Sequence, residues 1–260
     1  MALASLATKT VLVTGAAGGL GKAIANACLG AGANVVACDI NETLLKECEA
    51  ELSPKGPFMA LKVDVADEDA AAKAIEGAIQ KFSRLDVLVN NAGIMDKFDP
   101  ADTLEMGLWQ RVLAVNLTGP YIMSRLALRH FLAQSPPSGS IVNIGSGSAL
   151  RGAAAGAAYT ASKHGLVGLT RNTAASYMKQ GIRCNIVLPG GMYTNIVAQV
   201  MAPGYSPSPS GLQNAMTTSA MKPELVDVND VAKTVVHLAS DASLCLNGSI
   251  ITADHGWNAF

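Results

Sequence analysis

The chain has 260 residues, of which 50% are hydrophobic and 15% are charged, and its formal net charge at pH 7 is -1. This composition supplies a sizeable core and excludes an intrinsically disordered chain. The near-neutral balance argues against a basic surface for nucleic acid or anionic lipid, so the expected partner is a small molecule. No uninterrupted apolar run approaches the roughly 20 residues of a membrane span, and no basic segment followed by an apolar one begins the chain. We therefore expect a soluble, cytoplasmic protein.

The cysteines and histidines show no metal-binding pattern. The five cysteines are dispersed without a CxxC pair, and the four histidines do not cluster. An odd, dispersed set of cysteines favours reduced thiols in a cytosol-like compartment, and no metal site is expected. Cys38 and Cys184 lie in apolar runs, which favours small buried side chains over reactive ones.

Seven short runs rich in apolar and β-branched residues predict strands. Most of them are apolar throughout instead of alternating, as is typical of parallel strands covered by helices on both faces. Between them, apolar residues recur at helical spacing, as at Leu20, Ile24 and Cys28. The alternation predicts an α/β fold with a doubly wound parallel sheet that binds its ligand at the carboxyl ends of the strands. The seven runs span residues 10–14, 34–38, 58–65, 86–90, 140–145, 183–189 and 249–253.

One segment departs from this pattern. Residues 201–220 are rich in Pro, Ser and Gly and follow the sixth predicted strand, at the edge of the sheet where a ligand is expected. Loops of this length in compact domains are often lids or binding loops, although a surface insertion is the alternative. We expect a single domain over residues 1–260, with residues 193–220 as its substrate loop.

A glycine-rich turn directly follows the first predicted strand. Gly15, Gly19 and Gly21 have the spacing G-x-x-x-G-x-G, which lets a pyrophosphate approach the main chain at a helix N-terminus. The next strand ends in Asp39, near the roughly 20-residue offset of an acid that binds the ribose hydroxyls of a dinucleotide. Asp39 would repel the 2′-phosphate of NADP, so NAD is the favoured cofactor and NADP the alternative. The competing interpretation is that Asp39 caps a strand and that the glycines serve packing.

Tyr159 and Lys163 lie four residues apart in a helix-like stretch, so both side chains share one face. A free phenol has a pKa near 10, and an adjacent ammonium favours the phenolate. The pair is therefore suited to acid-base chemistry, although Y-x-x-x-K on its own often occurs by chance.

With these motifs in place, the sequence resembles the short-chain dehydrogenase/reductase family along essentially its whole length. The matching motifs are TGAAGGLG (14–21), DV (64–65), NNAG (90–93), AVNLTG (114–119), NIGSGSA (143–149), YTASK (159–163) and PGGMYT (189–194). The resemblance implies a seven-stranded Rossmann fold of strand order 3-2-1-4-5-6-7 and a homotetramer, or alternatively a homodimer.

The resemblance also implies the catalytic residues Asn116, Ser146, Tyr159 and Lys163. Tyr159 would exchange a proton with the substrate oxygen, and Ser146 would stabilise charge on that oxygen, with Ser148 as the alternative serine. Lys163 would hold the nicotinamide ribose and lower the pKa of Tyr159, and Asn116 would position a water. The implied cofactor contacts are Gly15, Gly19, Leu20, Gly21, Asp39, Ile40, Asp64, Val65, Asn91, Ala92, Gly93, Tyr159, Lys163, Met192 and Thr194.

The resulting prediction is an NAD(H)-dependent oxidoreductase that interconverts a secondary alcohol and a ketone. Two alternatives are open: a related biosynthetic enzyme that catalyses epimerisation, dehydration or enoyl reduction, and a non-catalytic dinucleotide-binding protein. The residues expected to face the substrate, including Met95, Asp96 and Ser148–Gly152, are mixed apolar and small, and Arg151 would contradict a neutral pocket if it pointed inward. Near the C-terminus, His255 and Trp257 depart from the usual family pattern, and we expect them to shape the pocket of a neighbouring subunit.

Overall fold

The computed structural model describes residues 4–194, 204–219 and 224–259. Seven parallel strands form one sheet in the order β3-β2-β1-β4-β5-β6-β7, so the predicted fold class and strand order are confirmed. Strand β1 pairs with β2 on one side (Val13 opposite Ala37) and with β4 on the other (Val13 opposite Val89). The strands are β1 Thr10–Thr14, β2 Asn34–Asp39, β3 Phe58–Lys62, β4 Val87–Asn90, β5 Gly139–Ile144, β6 Ile182–Pro189 and β7 Ile250–Ala253.

Helices cover both faces of the sheet. The described α-helices are α1 Gly19–Gly30, α2 Glu42–Leu52, α3 Glu68–Phe82, α4 Met106–Leu113, α5 Gly119–Ala133, α6 Ala157–Tyr177, α7 Pro209–Ser219 and α8 Val228–Ala239. Side chains of α1, α2 and α8 pack with Val11, Val13 and Val35 in one hydrophobic core. Side chains of α3 and α5 pack with the alternate strand residues Leu12 and Val36 in a second core on the opposite face. The inner strands β1, β2, β4, β5 and β6 are thus largely buried on both faces, as their composition predicts, whereas the edge strands β3 and β7 are only partly buried.

Several helices begin at side chains that satisfy free main-chain N–H groups. Asn41 accepts a hydrogen bond from the Leu44 N–H at the start of α2, and Asp67 accepts from Asp69 and Ala70 at the start of α3. By contrast, α1 begins after Gly18 and α6 after Gly156, neither of which has a side chain to cap the helix. The N–H groups at these two helix starts therefore depend on other partners.

Three local features differ from the sequence-based expectation. β3 ends at Lys62, so Val63 to Val65 follow the strand instead of belonging to it. Residues 114–118 form a π-helical turn between α4 and α5. Helix α7 occupies part of the segment 201–220, which its Pro, Ser and Gly content predicts to be an irregular loop. Residues 195–203 and 220 of the predicted substrate loop lie outside the described residues.

Burial of the thiols agrees with the sequence. Cys38 and Cys184 are buried as predicted, and burial raises the pKa of each thiol to about 12. Across the described ranges, no group of three or more His, Cys, Asp or Glu residues is placed to hold a metal ion. None of the helices in those ranges combines the length and the apolar character needed to cross a bilayer.

Candidate active site

A cavity of about 780 Å³ lies at the carboxyl edge of the sheet. Its walls come from the turns that follow β1 to β6, together with α6 and α7. This is where a doubly wound sheet binds its ligands. The cavity extends from the glycine turn and Asp39 at one end to Ser146 and Tyr159 at the other.

Glycine is required in the turn after β1 for conformational and steric reasons. Gly15 and Gly19 have positive φ angles of 64° and 52°, which other residues rarely adopt. A Cβ on Gly21 would lie 2.0 Å from the Gly15 carbonyl oxygen, so the first turn of α1 packs directly against the main chain of the loop. Asn91 holds the same loop by donating from its side chain to the Thr14 and Gly15 carbonyls, each at 3.0 Å.

The acidic residue after β2 also contacts this loop. The carboxylate of Asp39 accepts hydrogen bonds from the main-chain N–H groups of Ala17 at 3.0 Å and Asn41 at 2.9 Å. Asp39 is half-buried and lines the cavity beside Ile40, whose side chain is 62% exposed. Asp39 therefore both braces the turn and presents a negative charge to the cavity.

The remaining predicted cofactor contacts lie along the same cavity. Asp64 and Val65 line it after β3, and Asn91, Ala92 and Gly93 line it after β4. Leu20, Met192 and Thr194 are also at the wall, and Met192 packs against the core beneath α1. Every predicted cofactor contact is thus in the cavity lining, including Gly15, Gly19, Gly21, Asp39, Ile40, Tyr159 and Lys163.

Asn116 lies in the π-helical turn and is fully buried. Its side-chain oxygen accepts from the Ile94 N–H and its amide nitrogen donates to the Ile94 carbonyl, both at 2.9 Å. The amide nitrogen also donates to Ser162 Oγ at 3.2 Å. Asn116 thereby fixes the loop after β4 against α6. It lies close to Lys163, since a Cβ on Gly93 would be 3.4 Å from Asn116 Oδ1 and 3.7 Å from Lys163 Nζ.

Ser146 and Tyr159 meet at the far end of the cavity. Ser146 caps a short 3₁₀ turn, accepting from the Ser148 N–H at 3.2 Å. The two serine hydroxyls are 3.3 Å apart, and both serines line the cavity. Of these two serines, Ser146 is the one whose side chain acts to lower the pKa of Tyr159.

Burial sets the protonation of Tyr159 and Lys163. Lys163 is buried, its Nζ donates to the Ile144 carbonyl at 2.9 Å, and it lies 5.5 Å from the centre of the Tyr159 ring. Burial lowers the pKa of Lys163 to about 8. Burial also raises the pKa of Tyr159 to about 12, against the opposing effect of the Ser146 side chain. In the protein alone the loss of hydration thus outweighs the expected lowering of the tyrosine pKa by the ammonium.

Part of the cavity wall comes from α7 and from the loop after β4. Leu212, Ala215 and Met216 of α7 line the cavity and lie within the predicted substrate loop, whereas Phe98 lines it without being singled out by the sequence. A Pro- and Ser-rich segment gives no helical signal, so the sequence does not predict that these contacts come from a helix.

Trp257 lines the cavity of its own chain, and a contribution to the pocket of a neighbouring subunit stays a prediction. Its indole N–H donates to the Thr218 carbonyl at 3.3 Å, which joins the C-terminal segment to α7. Arg151 stacks over the Trp257 ring at 5.2 Å and hydrogen-bonds the Trp257 carbonyl and Asn258. The Arg151 charge is thus engaged by the C-terminal segment.

Comparisons with known proteins agree with this geometry. Residues 9–203 match the profile of a family described as short chain dehydrogenase. The Colletotrichum higginsianum protein named short chain dehydrogenase/reductase dpchG is 46% identical over 257 residues, covering 98% of this chain and 95% of that protein. The 3beta-hydroxysteroid dehydrogenase 2 of Eggerthella lenta is 38% identical over 256 residues, covering 98% and 96% respectively. The structure of 3-ketoacyl-(acyl-carrier-protein) reductase from Brucella melitensis complexed with NADH has a TM-score of 0.86 at 28% identity, covering 98% of this chain and 100% of that one.

The profile match spans most of the chain, and the first two relatives extend over nearly all of it. The resemblance stated from the motifs is therefore confirmed. This chain belongs to the short-chain dehydrogenase family and is an oxidoreductase of that family.

Proposed function

We propose that this enzyme interconverts a secondary alcohol and a ketone by hydride transfer and prefers NAD(H). The observation that carries the proposal is that Tyr159 and Ser146 line the same cavity as the glycine turn and Asp39. One cavity thus joins an acid-base group to the features that recognise a dinucleotide.

The residues of the glycine turn fit a dinucleotide. The positive φ angles of Gly15 and Gly19 and the close approach of Gly21 to the Gly15 carbonyl leave main-chain atoms exposed at the start of α1. Uncapped N–H groups and the positive end of a helix favour a pyrophosphate there. Gly15, Gly19 and Gly21 would hold the pyrophosphate, and Asp39 would hold the adenosine ribose.

The charge of Asp39 supports NAD over NADP. Its carboxylate already accepts from Ala17 and Asn41, so it is held in place at the cavity wall. A ribose with two hydroxyls can donate to this carboxylate, whereas a 2′-phosphate would meet it as a like charge.

Tyr159 and Ser146 would act on the oxygen of the substrate. Tyr159 Oη would give that oxygen a proton in reduction and accept one in oxidation, while Ser146 Oγ would donate a hydrogen bond to it. When bound, the nicotinamide ring supplies or accepts the hydride. At neutral pH Lys163 is mostly protonated because its pKa is about 8, so its ammonium would favour negative charge on Tyr159 during proton transfer.

The cavity lining supports a largely apolar substrate. Phe98, Leu212, Met216 and Trp257 contribute apolar surface to the cavity, and the Arg151 guanidinium is engaged with the C-terminal segment. The role of residues 193–220 as a substrate loop is part of this proposal, supported by the contribution of α7 to the wall. A relative named for a 3beta-hydroxysteroid is consistent with a ring-bearing alcohol.

The test is Tyr159→Phe, with Tyr177→Phe as the matched control. Both variants lose one phenolic hydroxyl from α6, but Tyr177 ends the helix and packs against the core. With NADH and a panel of neutral cyclic ketones, Tyr159→Phe should lower kcat by about 10²- to 10⁴-fold and change the Kd for NADH far less. Tyr177→Phe should retain wild-type kcat. Undiminished turnover by Tyr159→Phe would refute the proposed role of the tyrosine.

A further inference from the structure

Asp96 is a fully buried acid in the loop after β4, outside the predicted catalytic group. Although the sequence predicts that Asp96 faces the substrate, Asp96 is not among the residues that line the cavity. It accepts three main-chain hydrogen bonds instead: from Phe98 at 3.1 Å, from Gly156 at 3.1 Å and from Tyr159 at 2.8 Å. Two of these donors lie at the start of α6.

Asp96 and its loop take the place of a local cap for α6. Gly156 precedes the helix and has no side chain to cap it, while the Asp96 carboxylate accepts from Gly156 and from Tyr159 in the first turn. The Ala157 N–H donates to the Asp99 carbonyl at 2.9 Å. A Cβ on Gly156 would lie 2.6 Å from Asp96 Oδ2, so the carboxylate occupies the space of a side chain. The first turn of α6 is thus fixed by a loop 60 residues earlier in the chain.

The same loop supports the segment that carries α7. The Tyr205 hydroxyl donates to the Asp96 carbonyl, and the Ser208 N–H donates to the Lys97 carbonyl at 2.9 Å. A Cβ on Gly211 would lie 1.7 Å from the Phe98 carbonyl oxygen, so α7 contacts this loop main chain to main chain. Asp96 therefore touches both the helix of Tyr159 and the segment that forms the wall near it.

We propose that Asp96 is a positioning residue that sets the place of the Tyr159 hydroxyl and joins it to the segment 204–219. The inference rests on the proposed function, because it assigns Tyr159 the proton transfer. The Asp96 carboxylate acts through the Tyr159 main chain and its charge acts on the phenol, without contact to substrate or cofactor.

Electrostatics of the surrounding groups agree with this role. The negative charge of Asp96 contributes to raising the pKa values of Tyr159, Tyr205 and Asp99, each of which burial also raises. The other charges around the loop are Lys97 and Glu105, which act on Asp99, and the buried Lys163 one turn further along α6. Among the described residues, no ion pair at or below 4.0 Å neutralises Asp96.

The test compares Asp96→Asn with Asp99→Asn. Both remove one carboxylate from the same loop, but the Asp99 main-chain contact to α6 survives its substitution. Asp96→Asn should lower kcat by roughly 10- to 100-fold, since small displacements of a catalytic group have effects of this size. The KM for the cofactor should stay unchanged. Asp99→Asn should retain wild-type kcat.

A second measurement does not depend on turnover. Tyrosinate absorbance is titrated in each background with and without Tyr159→Phe, and the difference isolates Tyr159. Asp96→Asn should lower the pKa of Tyr159 because a nearby negative charge is removed, whereas Asp99→Asn should not. An unchanged kcat and an unchanged Tyr159 titration in folded Asp96→Asn would overturn the proposal. If the wild type reduces none of the ketones, the proposed function fails, while the titration still decides whether Asp96 acts on Tyr159.

Two further variants cover the remaining contacts. Gly156→Ala perturbs the contact of the Asp96 carboxylate with α6 without changing Asp96, so it tests the proposal even if Asp96→Asn is unfolded. The kcat of Gly156→Ala should decrease, and a wild-type kcat would count against Asp96 as a positioning residue. Tyr205→Phe removes the hydrogen bond to the Asp96 carbonyl, and it should raise the KM for ketone without shifting the Tyr159 titration. An unchanged KM would overturn the link to segment 204–219.

Discussion

Replacing Asp39 by Asn should reverse the cofactor preference. Asn keeps the shape of the side chain and one oxygen that can accept from Ala17 or Asn41, so the turn after β1 should persist. The substitution removes the negative charge that the cavity presents at this position. Both the loss for NADH and the gain for NADPH follow from that one change.

The size of the effect follows from the half-buried position of Asp39. At a separation of about 5 Å, two unit charges repel by about 0.8 kcal/mol in bulk water and about 3 kcal/mol at an effective dielectric constant of 20. A half-buried carboxylate lies between these limits, so relief of repulsion should tighten the Kd for NADPH by about 10- to 100-fold. Hydrogen bonds to a charged acceptor contribute about 1.5–3 kcal/mol, so the Kd for NADH should rise by about 10- to 100-fold.

The assay is isothermal titration of wild type, Asp39→Asn and Asp64→Asn with both cofactors. Asp64 also lines the cavity, and its carboxylate accepts from the Ala66 N–H after β3, so it is a matched loss of charge. Asp64→Asn should weaken both cofactors and change their ratio far less than Asp39→Asn. The reasoning is refuted if wild type binds NADPH as tightly as NADH, or if Asp39→Asn leaves the ratio of the two Kd values unchanged.

Three further outcomes are expected. Gly21→Ala should raise the Kd for NADH at least about tenfold because its Cβ would displace the glycine turn. Gly30→Ala is the control, since a Cβ there meets nothing within 4 Å, and it should retain wild-type affinity. Equal affinities of the two variants would contradict the packing argument. The rate of alcohol oxidation should rise with pH through the neutral and alkaline range. Burial raises the pKa of Tyr159 to about 12, and below that value the phenolate fraction grows about tenfold per pH unit. A rate that does not change with pH would count against Tyr159 as the base. His130 accepts from the Leu85 N–H at 3.2 Å and burial lowers its pKa, so the unfolded state binds its proton first and the free energy of unfolding should fall as pH drops below about 6.5. Urea unfolding of wild type and His130→Leu at several pH values isolates this contribution, which should be absent from the variant.

The fold follows from features that are local in the sequence. Each strand is a short apolar run, and the helices between them have apolar residues at helical spacing, so element type and order are both visible. The boundary errors are small because they concern residues such as Val63, which is apolar and buried without belonging to a strand. Helix α7 is different: its Pro, Ser and Gly content argues against a helix, and its packing against Phe98 is a tertiary effect.

Some features of the candidate site can likewise be predicted from the sequence, whereas others depend on tertiary structure. The glycine turn, Asp39 and the Tyr159–Lys163 pair are recognisable because their chemistry depends on residue type at fixed spacing. The protonation state of that pair cannot be recognised from the sequence, since it depends on how deeply Tyr159 and Lys163 are buried. The spacing suggests an ammonium that lowers the tyrosine pKa, whereas burial raises the pKa of Tyr159 and lowers that of Lys163.

Asp96 shows why part of a site escapes a reading of the sequence. Its partners Gly156 and Tyr159 lie 60 and 63 residues away, and its own surroundings, between Met95 and Lys97, resemble an ordinary polar loop. The glycine that precedes α6 has no side chain to cap the helix, and this is visible in the sequence. That Asp96 accepts from the N–H groups of the first turn instead is not visible there. Burying a carboxylate is costly unless its oxygens are satisfied, and here three N–H groups satisfy them. The buried carboxylate of Asp96 therefore orders the first turn of α6, which carries Tyr159. Disorder in this turn would displace the Tyr159 hydroxyl and so impair proton transfer.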